Sequence, residues 1–173
     1  MTPKITLIIL QTLCGKIARS ISDKLEWGSK IDKANYKKLT SEFGTVIVGS
    51  STYKITPKTA FQGRKNLVLT SDPEKYASDV SDEFIFLKGN PLEIVEYLKT
   101  NKIENAALVG GGKVNNAFLK AGCVDEIYLT LGPKIFAEGI PSFGTENLDV
   151  DLELLESSPL GPSELLLHYK VVK

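Results

Sequence analysis

Cysteine and histidine are scarce in this sequence of 173 residues, and their scarcity excludes several kinds of site. The two cysteines, Cys14 and Cys123, lie far apart and form no CxxC motif, which argues against a disulfide framework and a thiolate zinc site. The single histidine, His168, belongs to no HExxH or HxE…PCxxC motif, so metal-dependent hydrolysis and zinc-dependent deamination lack their ligands. We therefore expect no metal site, and unpaired thiols favour a cytoplasmic protein.

Net charge and long apolar runs are also missing. The 21 Lys and Arg residues balance the 21 Asp and Glu residues, so no overall field attracts nucleic acid or an acidic membrane. The apolar run at residues 5–10 is followed by Gln11 and Thr12, and it is far shorter than the ~18 residues of a membrane span. We expect this run to be a buried strand rather than a secretion signal, and we expect a small-molecule partner rather than nucleic acid or a membrane.

Short β-rich runs alternate with helical patterns along most of the chain. Continuous apolarity in these runs is typical of strands buried on both faces of a parallel sheet. The runs are ITLIIL, GTVIVG, KNLVLTS, EFIFLKG and NAALVG, and further strand patterns follow at 126–132, 151–158 and 164–172. The last two can pair antiparallel. The order predicts one α/β domain over residues 1–173, with a mixed, mostly parallel central sheet, antiparallel C-terminal strands and helices on both faces.

Three helices are predicted between the strands, two of them ahead of the run NAALVG. The first covers residues 32–43. The second starts at NPLE, residues 90–93, where an asparagine cap, a proline and a glutamate form a helix-start signal. We expect Leu92, Val95 and Leu98 to lie along one side of this second helix.

A glycine-rich turn precedes the third helix. In ALVGGGKVNNAFLKAG, residues 107–122, three adjacent glycines and a lysine separate an apolar run from a helical pattern that Gly122 ends. Positions i, i+3, i+4 and i+7 of that helix form an apolar stripe. The stripe consists of Val114, Ala117, Phe118 and Ala121.

Neither familiar phosphate-binding motif fits this turn. A P-loop requires glycine where Ala107 stands and a hydroxyl where Val114 stands, and the dinucleotide fingerprint requires glycine at Asn115. Glycines still allow a backbone to approach a pyrophosphate closely, the start of the next helix attracts anions, and Lys113 adds a positive charge. On the glycines alone, phosphate binding and a ligand-free turn are equally supported.

Several stretches, taken in order, resemble the dihydrofolate reductase superfamily, which includes the reductase domain of riboflavin biosynthesis. They are ITLIILQTLCGKIA, GTVIVGSSTYK, QGRKNLVLTS, LVGGGKVNNAFLKAG and VDEIYLTL. The similarity runs from Ile5 to about Phe143 and continues more loosely to the end. It implies a three-layer, dihydrofolate reductase-like fold in a monomeric or homodimeric enzyme.

The resemblance implies NADPH as the cofactor, with a cis bond between the first two of the adjacent glycines. Ser50 stands where an arginine often grips the 2′-phosphate of NADPH, so Lys113 would carry most of the preference for this cofactor. Thr70 and Ser71 would also meet that phosphate. The implied cofactor-binding residues are Ile17, Gly49, Ser50, Ser51, Thr52, Thr70, Ser71, Val109, Gly110, Gly111, Gly112, Lys113 and Val114.

On the substrate side, the resemblance implies that Asp32, five residues after Trp27, is the active-site carboxylate. Thr130 would hydrogen-bond this carboxylate, and these three residues are the expected catalytic group. Residues 13–27 would close over the site. The implied substrate-binding residues are Ile8, Tyr36, Phe61 and Arg64, the last matching the arginine that holds the glutamate tail of folate.

These matches predict a dihydrofolate reductase that transfers hydride to the C=N group of 7,8-dihydrofolate, and two alternatives stay open. The segment GPKIFAEGIPSFG and the C-terminal strands resemble the riboflavin-pathway reductases. Their substrate is an amino-pyrimidinone with a ribose phosphate, which Arg64 and Lys65 could hold. The second alternative is a non-catalytic nucleotide-binding protein of the same fold.

Overall fold

Strands and helices alternate along residues 2–24 and 26–173, which are the residues described by the computed structural model. The strands are β1 (Lys4–Thr12), β2 (Lys16–Ala18), β3 (Thr45–Gly49), β4 (Lys65–Leu69), β5 (Phe84–Leu87), β6 (Asn105–Leu108), β7 (Glu126–Gly132), β8 (Ile140–Pro141), β9 (Leu152–Pro159) and β10 (Leu165–Val171). The α-helices are α1 (Lys30–Phe43), α2 (Ser50–Ile55), α3 (Pro91–Thr100) and α4 (Gly112–Lys120), and 3₁₀ turns cover Lys58–Phe61 and Pro73–Asp79. No helix among these described residues is long and apolar enough to cross a membrane.

Eight of the strands form one sheet in the order β5-β4-β3-β6-β1-β7-β10-β9. Every neighbouring pair from β5 to β7 is parallel, whereas β10 runs antiparallel to both β7 and β9. Strands β2 and β8 form a separate antiparallel pair. The predicted mostly parallel sheet with antiparallel C-terminal strands is therefore confirmed.

Helices cover both faces of the sheet, which explains why the central strands are apolar throughout. Successive side chains of a strand point to opposite faces. In β1, Leu7 packs into the cluster that contains Phe118 of α4, whereas the next residue, Ile8, packs into the cluster that contains Tyr53 of α2. Tyr36 of α1 adds to the second cluster. The predicted three-layer arrangement is confirmed.

The starts of α1 and α3 are capped by side chains. Ser29 accepts a hydrogen bond of 3.0 Å from the Asp32 N–H, so α1 begins two residues before the predicted start. At α3, the Asn90 side chain accepts from the Glu93 N–H at 3.1 Å, and the Asn90 N–H donates to the Glu93 carboxylate at 2.7 Å. The predicted capping signal at residues 90–93 is confirmed.

The buried face of α3 differs from the predicted one. Leu92 is 64% exposed, whereas Ile94 and Leu98 are 2% and 0% exposed. Ile94 and Leu98 are four residues apart, so they stack on one side of the helix, and Leu92 at the first turn points away from it. The prediction that Leu92 lies on the same side of the helix as Leu98 was wrong, because the positions of the apolar residues in the sequence are compatible with two different buried faces.

The buried face of α4 also differs. Ala117 and Ala121 of the predicted stripe are exposed, and Asn115, Asn116 and Leu119 are buried beside Phe118. The two asparagines are tolerated there because their amides donate to backbone carbonyls: Asn115 to Ser142 at 2.8 Å, and Asn116 to Phe143 at 2.7 Å. A polar residue on a buried face was not foreseen, since its partners come from a distant segment.

The two faces of α3 can be separated by matched truncations. We expect Ile94→Ala to lower the free energy of unfolding by about 2–5 kcal/mol, because it opens a cavity in the core. We expect Leu92→Ala to change it by less than about 0.5 kcal/mol, because that side chain is already in water. Urea unfolding monitored by circular dichroism measures both, and equal losses would contradict the observed orientation of the helix.

Candidate active site

The glycine turn follows the end of β6 at the centre of the sheet. Gly110 has a φ of 99°, and the Gly110–Gly111 peptide bond is cis, as the resemblance implied. The Gly49 N–H at the end of β3 donates to the Gly110 carbonyl at 2.7 Å, and the Val109 N–H donates to the Ile47 carbonyl at 2.9 Å. These hydrogen bonds hold the turn after β6 against the turn after β3.

The adjacent glycines have different surroundings. A Cβ atom on Gly111 would lie 3.2 Å from the Thr52 hydroxyl, and one on Gly49 would lie 2.9 Å from a methyl group of Val114. A Cβ atom on Gly112 would instead overlap the Pro141 carbonyl oxygen. Gly112 therefore serves the packing of the chain on itself, while Gly49 and Gly111 keep the two turns narrow.

Both helices that start at these turns have uncapped N-termini. Among the described residues, no side chain caps α2 or α4, so their first backbone N–H groups are available to an anion. Lys113 is exposed in the first turn of α4, and Ser51 is exposed in the first turn of α2 beside the half-buried Ser50. A dinucleotide pyrophosphate fits this combination of bare backbone and a nearby cation.

The other residues expected at the cofactor lie near the same edge of the sheet. Thr70 and Ser71 follow β4, where the Thr70 hydroxyl accepts from the Asp72 N–H at 3.2 Å and Ser71 is exposed. Ile17 lies in β2, and its carbonyl accepts a hydrogen bond of 3.1 Å from the indole N–H of Trp27. These contacts are all with the chain itself, so the cofactor roles of these residues stay predictions.

Asp32 lines a small cavity between α1 and the strands β1 and β7. The cavity has a volume of about 20 Å³, which is room for one water, so a ring-sized ligand enters only when lining side chains move. Four of the expected site residues, Ile8, Tyr36, Asp32 and Thr130, meet here. The other lining residues are Ile9, Leu10, Asn35, Leu39, Tyr128 and Leu166.

Burial dominates the electrostatics of Asp32, which is 6% exposed. Loss of hydration raises the pKa of its carboxyl group, hydrogen bonding to Thr130 lowers it, and the charge of Glu164 raises it again. Lys33 provides a smaller lowering effect. Asp32 therefore holds a proton at a higher pH than an ordinary aspartate, which suits a residue that exchanges a proton with a ligand.

Tyr36 provides a second polar group on the same helix. Part of its ring remains accessible, but burial of the hydroxyl raises the pKa of Tyr36 to about 12. The positive charge of Arg64 opposes this rise, and the negative charge of Asp32 adds to it. The phenol consequently stays protonated at physiological pH, and its hydroxyl is able to donate a hydrogen bond.

Trp27 lies at the end of β7 instead of in the cavity wall. A Cβ atom on Gly132 would lie 2.7 Å from the indole ring and 3.3 Å from Leu10, so the ring packs on a glycine beside a cavity-lining leucine. Its other neighbour is Phe136, with ring centroids 5.3 Å apart. Trp27 thus lies outside the lining of the Asp32 cavity, and its role stays a prediction.

Phe61 and Arg64 are not among the residues that line the cavity, and their substrate-binding roles stay predictions. Phe61 is 1% exposed and packs against Tyr53, with ring centroids 5.9 Å apart. Arg64 is 4% exposed, and its guanidinium donates to the Thr40 hydroxyl and the Ala60 carbonyl. Because these partners come from α1 and a 3₁₀ turn, Arg64 joins structural elements, and its role at a folate tail or a phosphate stays a prediction.

Sequence reasoning missed several residues that the structure brings to the site. Tyr128 was detectable, since it precedes Thr130 by two residues on a strand and must share its face. Leu166 was not, because its place opposite Thr130 follows from the β7–β10 register. Asn115 was also missed, and it connects α4 through Ser142 to the loop after β1, since Ser142 donates from its N–H and its hydroxyl to the Gly15 carbonyl at 3.0 Å.

Among residues 2–24 and 26–173, no three His, Cys, Asp or Glu side chains converge to form a metal site. The candidate site has two parts, which are the uncapped turns after β3 and β6 and the Asp32 cavity. Val109 joins these two parts, because it precedes the glycine turn and packs in the same cluster as Ile8, Tyr36 and Tyr128.

Comparisons with known proteins identify a matching family and similar folds. The family model described as the RibD C-terminal domain matches residues 50–166. An uncharacterized protein of Bacillus subtilis (strain 168), YwjB, is 28% identical over 177 aligned residues, which cover 98% of each chain.

Among solved structures, a pyrimidine reductase-like protein from Corynebacterium diphtheriae has a TM-score of 0.80 at 19% identity, and the alignment covers 99% of this chain and 92% of that protein. Dihydrofolate reductase from Enterococcus faecalis, complexed with NADP(H), has a TM-score of 0.75 at 20% identity, covering 98% and 97%. These two likenesses concern the fold.

The glycine turn can be tested with two alanine substitutions. We expect Gly112→Ala to lower the free energy of unfolding by about 1–3 kcal/mol or more, because its methyl group meets the Pro141 backbone. Gly111→Ala meets only the flexible Thr52 hydroxyl, so we expect a smaller loss of stability and a weaker binding of NADPH. Thermal unfolding and calorimetric titration with NADPH measure the two effects, and equal destabilisation by both variants would contradict the distinct surroundings of these glycines.

Burial of Asp32 predicts a pH-dependent stability. The folded protein holds the Asp32 proton to a higher pH than the unfolded chain, so the free energy of unfolding falls as pH rises above the ordinary value of 3.8. We expect Asp32→Asn to raise the melting temperature at neutral pH and the gain to vanish as pH falls toward 3.8. Asp82→Asn, at an exposed position, is the control. A gain independent of pH would contradict the raised pKa.

Proposed function

Because this chain belongs to the RibD C-terminal domain family, we propose that it is an NADPH-dependent reductase of an amino-pyrimidinone that carries a ribose phosphate. The observation that carries the proposal is a buried carboxylate, Asp32, in a small cavity beside uncapped, glycine-lined turns. The family match favours this substrate over dihydrofolate, which the resemblance at Trp27 and Asp32 had favoured. Reduction of dihydrofolate stays the second candidate.

The turns at the ends of β3 and β6 would hold the cofactor. Gly49 and Gly111 carry no side chain that would block an approach, the start of α4 has no side-chain cap within the described residues, and Lys113 adds a positive charge. NADPH supplies a hydride when bound. Ser50 stands where related reductases often have an arginine that binds the 2′-phosphate of NADPH. The preference for NADPH over NADH would therefore depend on Lys113 together with Thr70 and Ser71.

The Asp32 cavity would hold the amino-pyrimidinone ring of the substrate. A carboxylate can accept two hydrogen bonds from an amino group and an adjacent ring N–H, and the Thr130 hydroxyl orients it. The raised pKa of Asp32 lets the same group hold a proton next to the bound ring. Apolar walls such as Ile8 and Leu166 exclude water, which strengthens these interactions.

Dihydrofolate remains the second candidate because Asp32 and Thr130 meet at one cavity with Tyr36 and Ile8 around them. This is the arrangement that the superfamily resemblance implied for a pterin site. The contacts of Arg64 weaken the folate reading, since its guanidinium is bonded within the protein. They weaken phosphate binding by Arg64 equally, so a phosphate would need another cation, such as the half-buried Lys65.

The first experiment is an NADPH oxidation assay with two substrates side by side. We expect oxidation with 5-amino-6-(5-phosphoribosylamino)uracil or its 2-amino precursor, and a loss of turnover of roughly 10²–10⁴-fold in Asp32→Asn, because the proton-holding group is removed. Asp82→Asn, an exposed residue outside the site, should keep full activity.

Each other outcome of this assay has a definite meaning. Oxidation only with dihydrofolate, abolished by Asp32→Asn, would replace the first candidate with the second. Binding of NADPH without oxidation of any of these substrates would favour a non-catalytic nucleotide-binding protein. Full activity in Asp32→Asn would contradict the assignment of Asp32 under either reductase.

A further inference from the structure

Asn115 on α4 is a buried amide of which only one end has a hydrogen-bond partner. It is 1% exposed, and its Nδ2 donates to the Ser142 carbonyl at 2.8 Å. Its Oδ1 is buried and has no hydrogen-bond partner among the described residues. Because a carbonyl accepts and cannot donate, Ser142 fixes which end of the amide is Nδ2. Oδ1 is therefore the end that lacks a donor, and such an atom calls for an explanation.

This oxygen lies against the glycine turn. A Cβ atom on Gly110 would lie 3.6 Å from Oδ1 of Asn115. The Asn115 backbone N–H donates to the Gly111 carbonyl at 3.0 Å, so the residue is fixed to the turn through its backbone as well. The carbonyl of Gly110 accepts from the Gly49 N–H at 2.7 Å. Oδ1 is therefore beside the junction of the two turns that are proposed to hold the cofactor.

A second acceptor without a partner lies on the same face of the sheet. Gln11 is two residues beyond Ile9 in β1, and Ile9 packs with Phe118 of α4, so alternation along the strand places Gln11 on the α4 face. Its Oε1 is buried and has no hydrogen-bond partner in the described part of the chain. Strands β1 and β6 run parallel, so the end of β1 and the glycine turn lie at the same edge. A ligand group that complements these oxygens must carry N–H donors.

We propose that Asn115 binds and orients the nicotinamide: its Oδ1 accepts a hydrogen bond from the carboxamide N–H of the cofactor, while its Nδ2 holds Ser142. The inference rests on the proposed function, because it requires a nicotinamide cofactor at the turns after β3 and β6. A primary carboxamide carries two N–H donors, which is the group that the unpartnered oxygens lack. The hydrogen bond to Asn115 limits the rotation of the nicotinamide ring in its site.

The same side chain connects the cofactor turn with the loop after β1. Ser142 donates from its N–H and its hydroxyl to the Gly15 carbonyl, at 3.0 Å each. The neighbouring strands β2 and β8 have only three and two residues, and so short a pair opens at little cost. Oδ1 of Asn115 is out of contact with solvent, so the carboxamide reaches it when this segment opens. Closure then re-forms the contact with Ser142 over the bound cofactor.

Binding alone tests the proposal, with two dinucleotides that differ at one group. NADP⁺ carries the carboxamide, whereas 3-acetylpyridine adenine dinucleotide phosphate has a methyl group in place of the NH₂ and keeps the carbonyl. In calorimetric titration of the parent protein, we expect the analogue to bind about five- to twentyfold more weakly than NADP⁺, because the hydrogen bond to Asn115 is lost.

The decisive variant is Asn115→Ala, which removes the acceptor. We expect its affinities for the two dinucleotides to agree within about twofold, since the changes in protein and ligand remove the same interaction. Asn116→Ala is the matched control. Asn116 is 3% exposed and donates to the Phe143 carbonyl of the same segment at 2.7 Å, but its oxygen is not a buried atom without a partner in the described part of the chain. This control should keep the preference of the parent for NADP⁺.

Equal affinity of the parent for both dinucleotides would overturn the proposal, as would an unchanged preference in Asn115→Ala. If Asn115→Ala fails to fold, Asn115→Asp, which keeps an oxygen at this position, should retain the preference, and its loss there would refute the role of Asn115. Failure of the proposed reductase is a separate result: the preference for NADP⁺ would be observed, but NADPH would be oxidised with neither substrate. Absence of NADP⁺ binding would overturn both proposals.

Discussion

Parallel pairing of β1 with β6 on one side and β7 on the other is the constraint on which the site depends. The register sets Leu7 beside Leu108 and Leu10 beside Thr130. Because parallel strands end at the same edge of a sheet, the glycine turn after β6 and the threonine near the end of β7 come to one edge. A shift by one residue would turn Thr130 to the opposite face and away from Asp32.

Backbone contacts, more than side chains, hold the turns after β3 and β6 in place. Gly49 donates to Gly110, and the narrow approach of Gly111 to Thr52 leaves no room for a larger residue without adjustment. Asn115 extends this framework, since its bond to Ser142 connects α4 with the loop that follows β1. The loop expected to close over the site is thus tied to the helix expected to bind the cofactor, and both are positioned by the same chain of hydrogen bonds.

Electrostatics near Asp32 oppose the stability of the fold. Burial and the neighbouring Glu164 charge both disfavour the ionised carboxylate, and Thr130 compensates only in part. Protein cores usually avoid such an arrangement, and sites of chemistry are where it is commonly found. The same burial raises the pKa of Asp32, so the cost in stability and the proton-holding role proposed for Asp32 have one origin.

The order of strands and helices, the capping of α3 and the glycine turn were determined by the sequence itself, because period, caps and glycine depend on neighbouring residues. The resemblance also named Asp32 and Thr130, which the fold brings to one cavity. Other features depended on tertiary structure. Leu92 and Ile94 are equally apolar, and only packing decided that Ile94 is buried. Arg64 became a buried link to Thr40 of α1, and Leu166 came opposite Thr130, through contacts between segments that are separated along the chain. Local patterns carry no information on such partners, since they arise only when the sheet register brings distant residues together.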